Sequence, residues 1–119
     1  MENTSVRKTK DFTPNGCPVI YCLNIIGGKW KPVIIHQLRR ECNRYSMLQR
    51  AIPDISKQTL TNQLRELEAD GVIERIIYAV IPPRVEYKIS TFGESLLPII
   101  DSMAIWGLAH MTEMSAEQK

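Results

Sequence analysis

Residues 54–71 constrain this chain more than any other part of it. Leu60, Leu64 and Leu67 recur at i, i+4 and i+7, the spacing of one buried helical stripe. Ser56 stands where an N-cap hydroxyl would accept a bond from a free first-turn amide. Gly71 stands where such a helix would stop. At about 100° per residue, Gln58, Thr61, Asn62 and Arg65 fall opposite the leucines, with Lys57 beside them on the first turn. Side chains of these types can hydrogen-bond base edges or phosphate oxygens. A merely solvated face would also be polar, with a larger share of Glu and Lys. The helix alone supports either reading.

The segment that follows favours the first. Ile73, Ile76, Ile77, Tyr78 and Val80 make a run rich in β-formers. Val85, Tyr87 and Ile89 then alternate with Arg84, Glu86 and Lys88, a half-buried strand pattern. Pro82-Pro83 lies between them, where proline stiffens a turn and cannot donate to a ladder. A polar-faced helix followed directly by a β-hairpin is the layout of a winged helix-turn-helix. Arg84 at the wing would lie near a phosphate or the minor groove, or remain a solvated loop charge.

Upstream, the spacing predicts three shorter helices. Val19 to Ile26 is opened by Cys17-Pro18 and closed by Gly27-Gly28. Lys31 to Arg40 buries Val33, Ile34, Ile35 and Leu38, tolerates Pro32 in its first turn, and has Trp30 as a core anchor at its start. Ser46 to Ile52 is read as capped by Ser46, with Met47, Leu48, Ala51 and Ile52 inward. The turn Pro53-Asp54 joins it to the polar-faced helix, which is helix-turn-helix logic. Arg44 can contact a phosphate or pair with Glu41, and the sequence does not separate the two.

Thr91-Phe92-Gly93-Glu94 has the form of a capping box, and a long helix is expected after it with a modest bend at Pro98. Leu96, Leu97, Ile100, Met103, Ile105, Trp106, Met111 and Met114 give that helix more apolar surface than one small chain can cover. Packing back on its own domain is one outcome; a second copy of the chain is the simpler cover.

The 119 residues make one domain: a basic tail over 1–14, the winged helix-turn-helix with its dimerisation surface over 15–113, and a tail over 114–119. No apolar run reaches membrane-spanning length and no signal pattern opens the chain, so a cytoplasmic protein without a membrane partner is expected. A net charge of +2 is too weak to argue for nucleic acid, but its distribution says more. Residues 7–57 hold ten basic against three acidic residues, and residues 58–119 five against nine. If the asymmetry survives folding, it supplies the basic face a polyanion needs.

With this layout in place, the chain resembles the HxlR-type transcriptional regulators, a branch of the MarR-like winged-helix proteins. The resemblance runs over residues 16–110. It is carried by Gly16-Cys17-Pro18, Gly27-Gly28-Lys29-Trp30, Arg44-Tyr45-Ser46-Met47-Leu48, Ile55 to Thr61, Leu64 to Gly71, Pro82 to Tyr87, Thr91 with Gly93, and Trp106-Gly107. It implies a homodimer joined through its first and last helices, each subunit laying a recognition helix in a major groove of double-stranded DNA. A two-fold dimer implies a pseudo-palindromic operator with half-sites about 10 bp apart.

Cys17, Cys22 and Cys42 are an odd number with no Cys-x-x-Cys pair, so neither a disulfide framework nor a zinc site is expected. His36 and His110 have no matching acid, and no nucleophile, base and oxyanion set can be assembled; no cofactor and no enzyme are expected. Cys17 precedes a helix N-terminus, where amide dipoles favour a thiolate. The resemblance implies that a cysteine at this place can sense oxidants or electrophiles. A small packed thiol is the alternative, and whether Cys22 or Cys42 joins any disulfide stays open. The expected function is a sequence-specific DNA-binding transcriptional regulator, a repressor, open to an oxidant or small-molecule effector. Its DNA-binding residues would be Arg44, Ser56, Lys57, Gln58, Thr61, Asn62, Arg65 and Arg84, with Cys17 as regulatory thiol. The rival is a winged helix serving only as a protein-interaction module.

Overall fold

The computed structural model describes residues 16–117, with side chains to 112. The basic tail read over 1–14, with Arg7, Lys8 and Lys10, lies outside the described residues, as do 118–119. Four helices come first: α1 (Pro18–Ile26), α2 (Trp30–Arg39), α3 (Tyr45–Ala51) and α4 (Lys57–Ala69). Strands β1 (Ile73–Tyr78) and β2 (Arg84–Ile89) follow, then a single turn, α5 (Thr91–Glu94), and the long α6 (Leu97–Glu117). The protein is a winged helix-turn-helix, mostly helical with one antiparallel hairpin.

One apolar cluster holds these elements together. Ile25 and Ile26 enter it from α1, Ile34, Ile35 and Leu38 from α2, Leu48 from α3, and the stripe Leu60, Leu64 and Leu67 from α4. Ile73 seals it at the base of the wing, and Leu96 and Ile100 seal it beside α2. Trp30 is half-buried against the cluster, as its place in the sequence implied, and Lys29 lies over its ring at 4.6 Å.

Both ends of α4 form as read. Ser56 is the N-cap, its Oγ accepting the Thr59 amide at 3.1 Å. At the other end the Val72 amide donates to the Leu67 carbonyl and the Gly71 amide to that of Glu68. This closing pattern needs a left-handed residue at Gly71, whose φ is +78°. In the hairpin, Ile73 faces Ile89, Arg75 faces Tyr87 and Ile77 faces Val85. The Tyr87 amide donates outward to the Asn43 carbonyl at 2.8 Å, which ties the wing to the loop before α3.

Three expectations need correction. Ser46 lies within α3 and Arg44 occupies its N-cap position, with no side-chain cap. Ser90 rather than Thr91 caps the next element, its Oγ accepting the Gly93 amide at 2.9 Å. The final helix is broken, not modestly bent: the chain turns at Ser95-Leu96 before α6 begins. Pro98 explains the break, because it has no amide for the Glu94 carbonyl and its ring would strike that oxygen in a continuous helix. As the second residue of α6 it is tolerated.

Beyond Ile100, α6 carries Met103, Ile105, Trp106, Leu108 and Met111 exposed. On α1, Val19, Tyr21 and Leu23 are exposed as well. An apolar groove of about 620 Å³ runs between α2 and α6, walled by Val33, Ile100, Met103 and Leu108 and edged by His36 and Arg40. No helix among the described residues is long and apolar enough to cross a membrane.

Candidate nucleic-acid interface

The buried leucine stripe fixes which side of α4 faces outward. Lys57, Gln58, Asn62 and Arg65 are exposed, along with the capping Ser56. Thr61 is not part of this open row. It is half-buried, and its Oγ1 lies 3.0 Å from the Tyr45 hydroxyl, which also donates to the Lys57 carbonyl at 2.9 Å. Tyr45, the first residue of α3, therefore pins the first two turns of α4 to the helix before it. The signal available in the sequence was an aromatic hydroxyl at the start of the first helix of a helix-turn-helix pair.

Arg44 is exposed just ahead of Tyr45 and forms no ion pair with Glu41 among the described residues. Arg84 opens β2 and folds back on the hairpin. Its guanidinium lies 4.7 Å from the Tyr78 ring centroid, with Nε 3.5 Å from Glu86 Oε2. Tyr78 in turn donates to Glu86 at 3.2 Å. Arg84 is thus oriented along one hairpin face, still exposed.

Arg75 is the cation that sequence reasoning missed. It projects from the hairpin face that meets α4, and with Arg65, Thr61 and Tyr45 it lines a cleft of about 340 Å³ between helix and wing. Strand alternation groups it with Ile73 and Ile77. Which face of the hairpin meets the helix is a tertiary fact, so periodicity alone could not select it.

The basic surplus of residues 7–57 survives in part. Lys31 is buried and ion-paired with Glu66, and Arg39 is paired with Asp101. Arg40, Arg44, Arg50 and Lys57 remain exposed.

Cys17 is the N-cap residue of α1, half-exposed, and its carbonyl accepts the Tyr21 amide at 3.1 Å. Of the lysines that follow α1 in the chain, Lys29 lies over the Trp30 ring and Lys31 against Glu66. Cys22 packs on the core from within α1. Cys42 also touches the core, with Sγ 3.8 Å from Gln37 Oε1.

The family model for HxlR-like helix-turn-helix proteins matches residues 25–115, which include α2 to α4, the wing and most of α6. The chain belongs to the HxlR-like helix-turn-helix family. Among its relatives, the HTH-type transcriptional regulator YtcD of Bacillus subtilis is 50% identical over 92 residues, covering 77% of this chain and 73% of that one. A structure of the redox regulator HypR in its oxidized form superposes with a TM-score of 0.74 at 42% identity, covering 78% of this chain and 96% of the other. The reduced form of the transcriptional regulator YodB from B. subtilis is more distant. Its TM-score is 0.66 at 29% identity, over 76% of this chain and 90% of YodB. This HxlR-like chain is a helix-turn-helix transcriptional regulator and not an enzyme, as family and relatives agree.

Proposed function

We infer that this regulator binds double-stranded DNA sequence-specifically as a homodimer, with α4 in the major groove, and represses the promoter it covers. The observation that carries this reading is the exposed row Gln58, Asn62 and Arg65 on a capped helix anchored to the core by three leucines. A protein-docking face would favour apolar or acidic residues there. Asn and Arg can each make paired hydrogen bonds to a base edge, worth about 1–3 kcal/mol of discrimination. Arg44, Ser56, Lys57 and Arg84 flank the row as phosphate contacts, and Thr61 contributes through its bond to Tyr45.

The exposed apolar residues of α1 and α6 support the dimer, because a second copy is the simplest cover for two such surfaces on one small domain. A two-fold pair of recognition helices calls for a pseudo-palindromic operator with half-sites about 10 bp apart. Cys17 is the regulatory thiol in this reading. It caps a helix whose neighbouring residues form the dimer surface, so its oxidation would alter how two copies meet and how far apart their α4 helices lie. The similarity to the redox regulator HypR supports that role.

The experiment is binding of the reduced protein to its own upstream DNA, titrated across salt and repeated after mild oxidation. Tight, specific binding that weakens steeply with salt is expected, because phosphate contacts release counterions. Oxidation should abolish it in the natural protein and spare Cys17→Ser. Unchanged binding after oxidation would return Cys17 to a packing role. Absence of any preferred fragment across the genome would leave the protein-interaction reading.

A further inference from the structure

The tip of the wing carries a chemistry that the polar row on α4 does not use. Between β1 and β2 the chain runs Ala79, Val80, Ile81, Pro82 and Pro83. None of the five has a charge or a side-chain hydrogen-bonding group. All are exposed, Val80 by 49% and Ile81 by 100%. Two of them are prolines without an amide hydrogen, and the Val80 amide is bonded to the Tyr78 carbonyl at 2.9 Å. The loop therefore offers a phosphate no side-chain donor and, besides Val80, only the backbone amides of Ala79 and Ile81. Arg84 does not supply a donor at the tip, because it lies back along Tyr78 and Glu86.

We propose that the wing tip is an apolar wedge for the DNA minor groove, with Ile81 as the inserting side chain. The inference rests on the DNA-binding reading and adds how the wing engages the duplex. Its hairpin face is continuous with the recognition surface: Arg75 shares a cleft with Arg65, and the exposed Ile77 continues that face toward the tip. Strands of six residues give the hairpin a length of about 20 Å, against a major groove about 12 Å wide. With α4 in that groove, the tip reaches past the phosphate ridge to the minor groove beside it.

The walls of a minor groove are sugar C–H groups, and it is about 6 Å wide, a fit for one aliphatic side chain. Isoleucine and proline are among the residues that part a base step there and bend the duplex by roughly 20–90°. Pyrimidine–purine steps open most readily, so such a wedge selects flexible flanks without touching a base edge by hydrogen bond. An exposed isoleucine also leaves water on binding, which phosphate contacts alone do not exploit.

The test begins with a fragment selected from genomic DNA by the reduced protein. Its affinity and end-to-end bend, read by fluorescence anisotropy and energy transfer, are compared for the natural protein, Ile81→Ala and Ile81→Lys. Ile81 touches no core residue, so all three should melt together. Ile81→Ala is expected to bind about tenfold more weakly with an unchanged salt slope and a smaller bend. Ile81→Lys should steepen the salt slope by about one phosphate contact without restoring the bend. Replacing the flanking pyrimidine–purine step with an A-tract should weaken the natural protein and leave Ile81→Ala unaffected. Affinity and bend in Ile81→Ala equal to the natural protein's would overturn the wedge. So would a shifted monomer–dimer equilibrium of Ile81→Ala without DNA, which would make the tip a contact between copies. If the natural protein selects no fragment over random DNA, the DNA-binding reading itself fails, and the wedge with it.

Discussion

Lys31 on α2 and Glu66 on α4 form an ion pair whose ammonium is almost wholly buried, 35 residues apart in the chain. Glu66 follows Arg65 directly, so the pair helps to set how α4 rolls on the core and where Arg65 points. Removing the carboxylate leaves a buried charge without its partner, whereas removing the ammonium leaves a carboxylate that is one-third exposed and can be hydrated. Glu66→Ala is expected to lower stability by about 2–4 kcal/mol, and Lys31→Met by less than about 1 kcal/mol. Urea unfolding measures both. Equal losses would show that the ammonium itself stabilises the fold through the pair, and that stranding it is not the main cost.

Gly93 of α5 packs on the backbone of Val72, just past the Gly71 stop of α4, and on Ile89 of β2. A Cβ there would fall on the Val72 carbonyl oxygen and within 2.8 Å of Ile89 Cγ2. The first obstacle is backbone, held by the Ser90 amide at 3.0 Å, and cannot swing aside. Gly93→Ala should cost more than about 2 kcal/mol, as overpacking of a fixed site does. Thermal unfolding against Gly107→Ala, a site with nothing within 4 Å of the added carbon, isolates the clash.

The parts of the fold that could be read directly are those whose signals are local. A leucine stripe, a serine cap and a glycine stop lie together on α4, and strand alternation with Pro82-Pro83 marks the wing. The helix boundaries of α1 and α2 fall within one residue of those expected. What escaped depends on partners distant in the chain. Nothing around Lys31 says that Glu66 will bury it, and the hydroxyl that holds Thr61 belongs to Tyr45, 16 residues away on the preceding helix. Ser90 and Thr91 are adjacent hydroxyls, and only the return of the strand to Val72 selects the first. The break before α6 was legible in principle, since Pro98 cannot follow Glu94 in one continuous helix.

Glu41 closes α2 in a left-handed conformation, φ +68°, with its amide on the Leu38 carbonyl and the Cys42 amide on that of Gln37. This is the bond pattern that Gly71 makes on α4, here imposed on a residue with a Cβ. The left-handed region costs an L-residue roughly 1–2 kcal/mol, offset in glycine by its looser unfolded chain. Glu41→Gly should therefore stabilise the protein by about 0.5–1 kcal/mol. A raised denaturation midpoint with unchanged slope would confirm it, and a loss would mean that the carboxylate itself contributes.

Arg65 and Arg75 line one cleft yet should behave differently on DNA. Arg65 belongs to the exposed row of α4, where a guanidinium can address two acceptors of a guanine at once. Arg75 stands on β1 of the wing and not on the recognition helix, where a cation would meet backbone. Arg65→Ala should therefore weaken the operator by roughly 1–3 kcal/mol more than random DNA and relax specificity at one base pair. Arg75→Ala should weaken both to a similar extent and lower the salt slope by about 1. Titrations of each variant on operator and scrambled duplexes, at four or more salt concentrations, separate the two. Equal losses of Arg65→Ala on both duplexes would remove it from base reading, and the polar row would then rest on Gln58 and Asn62.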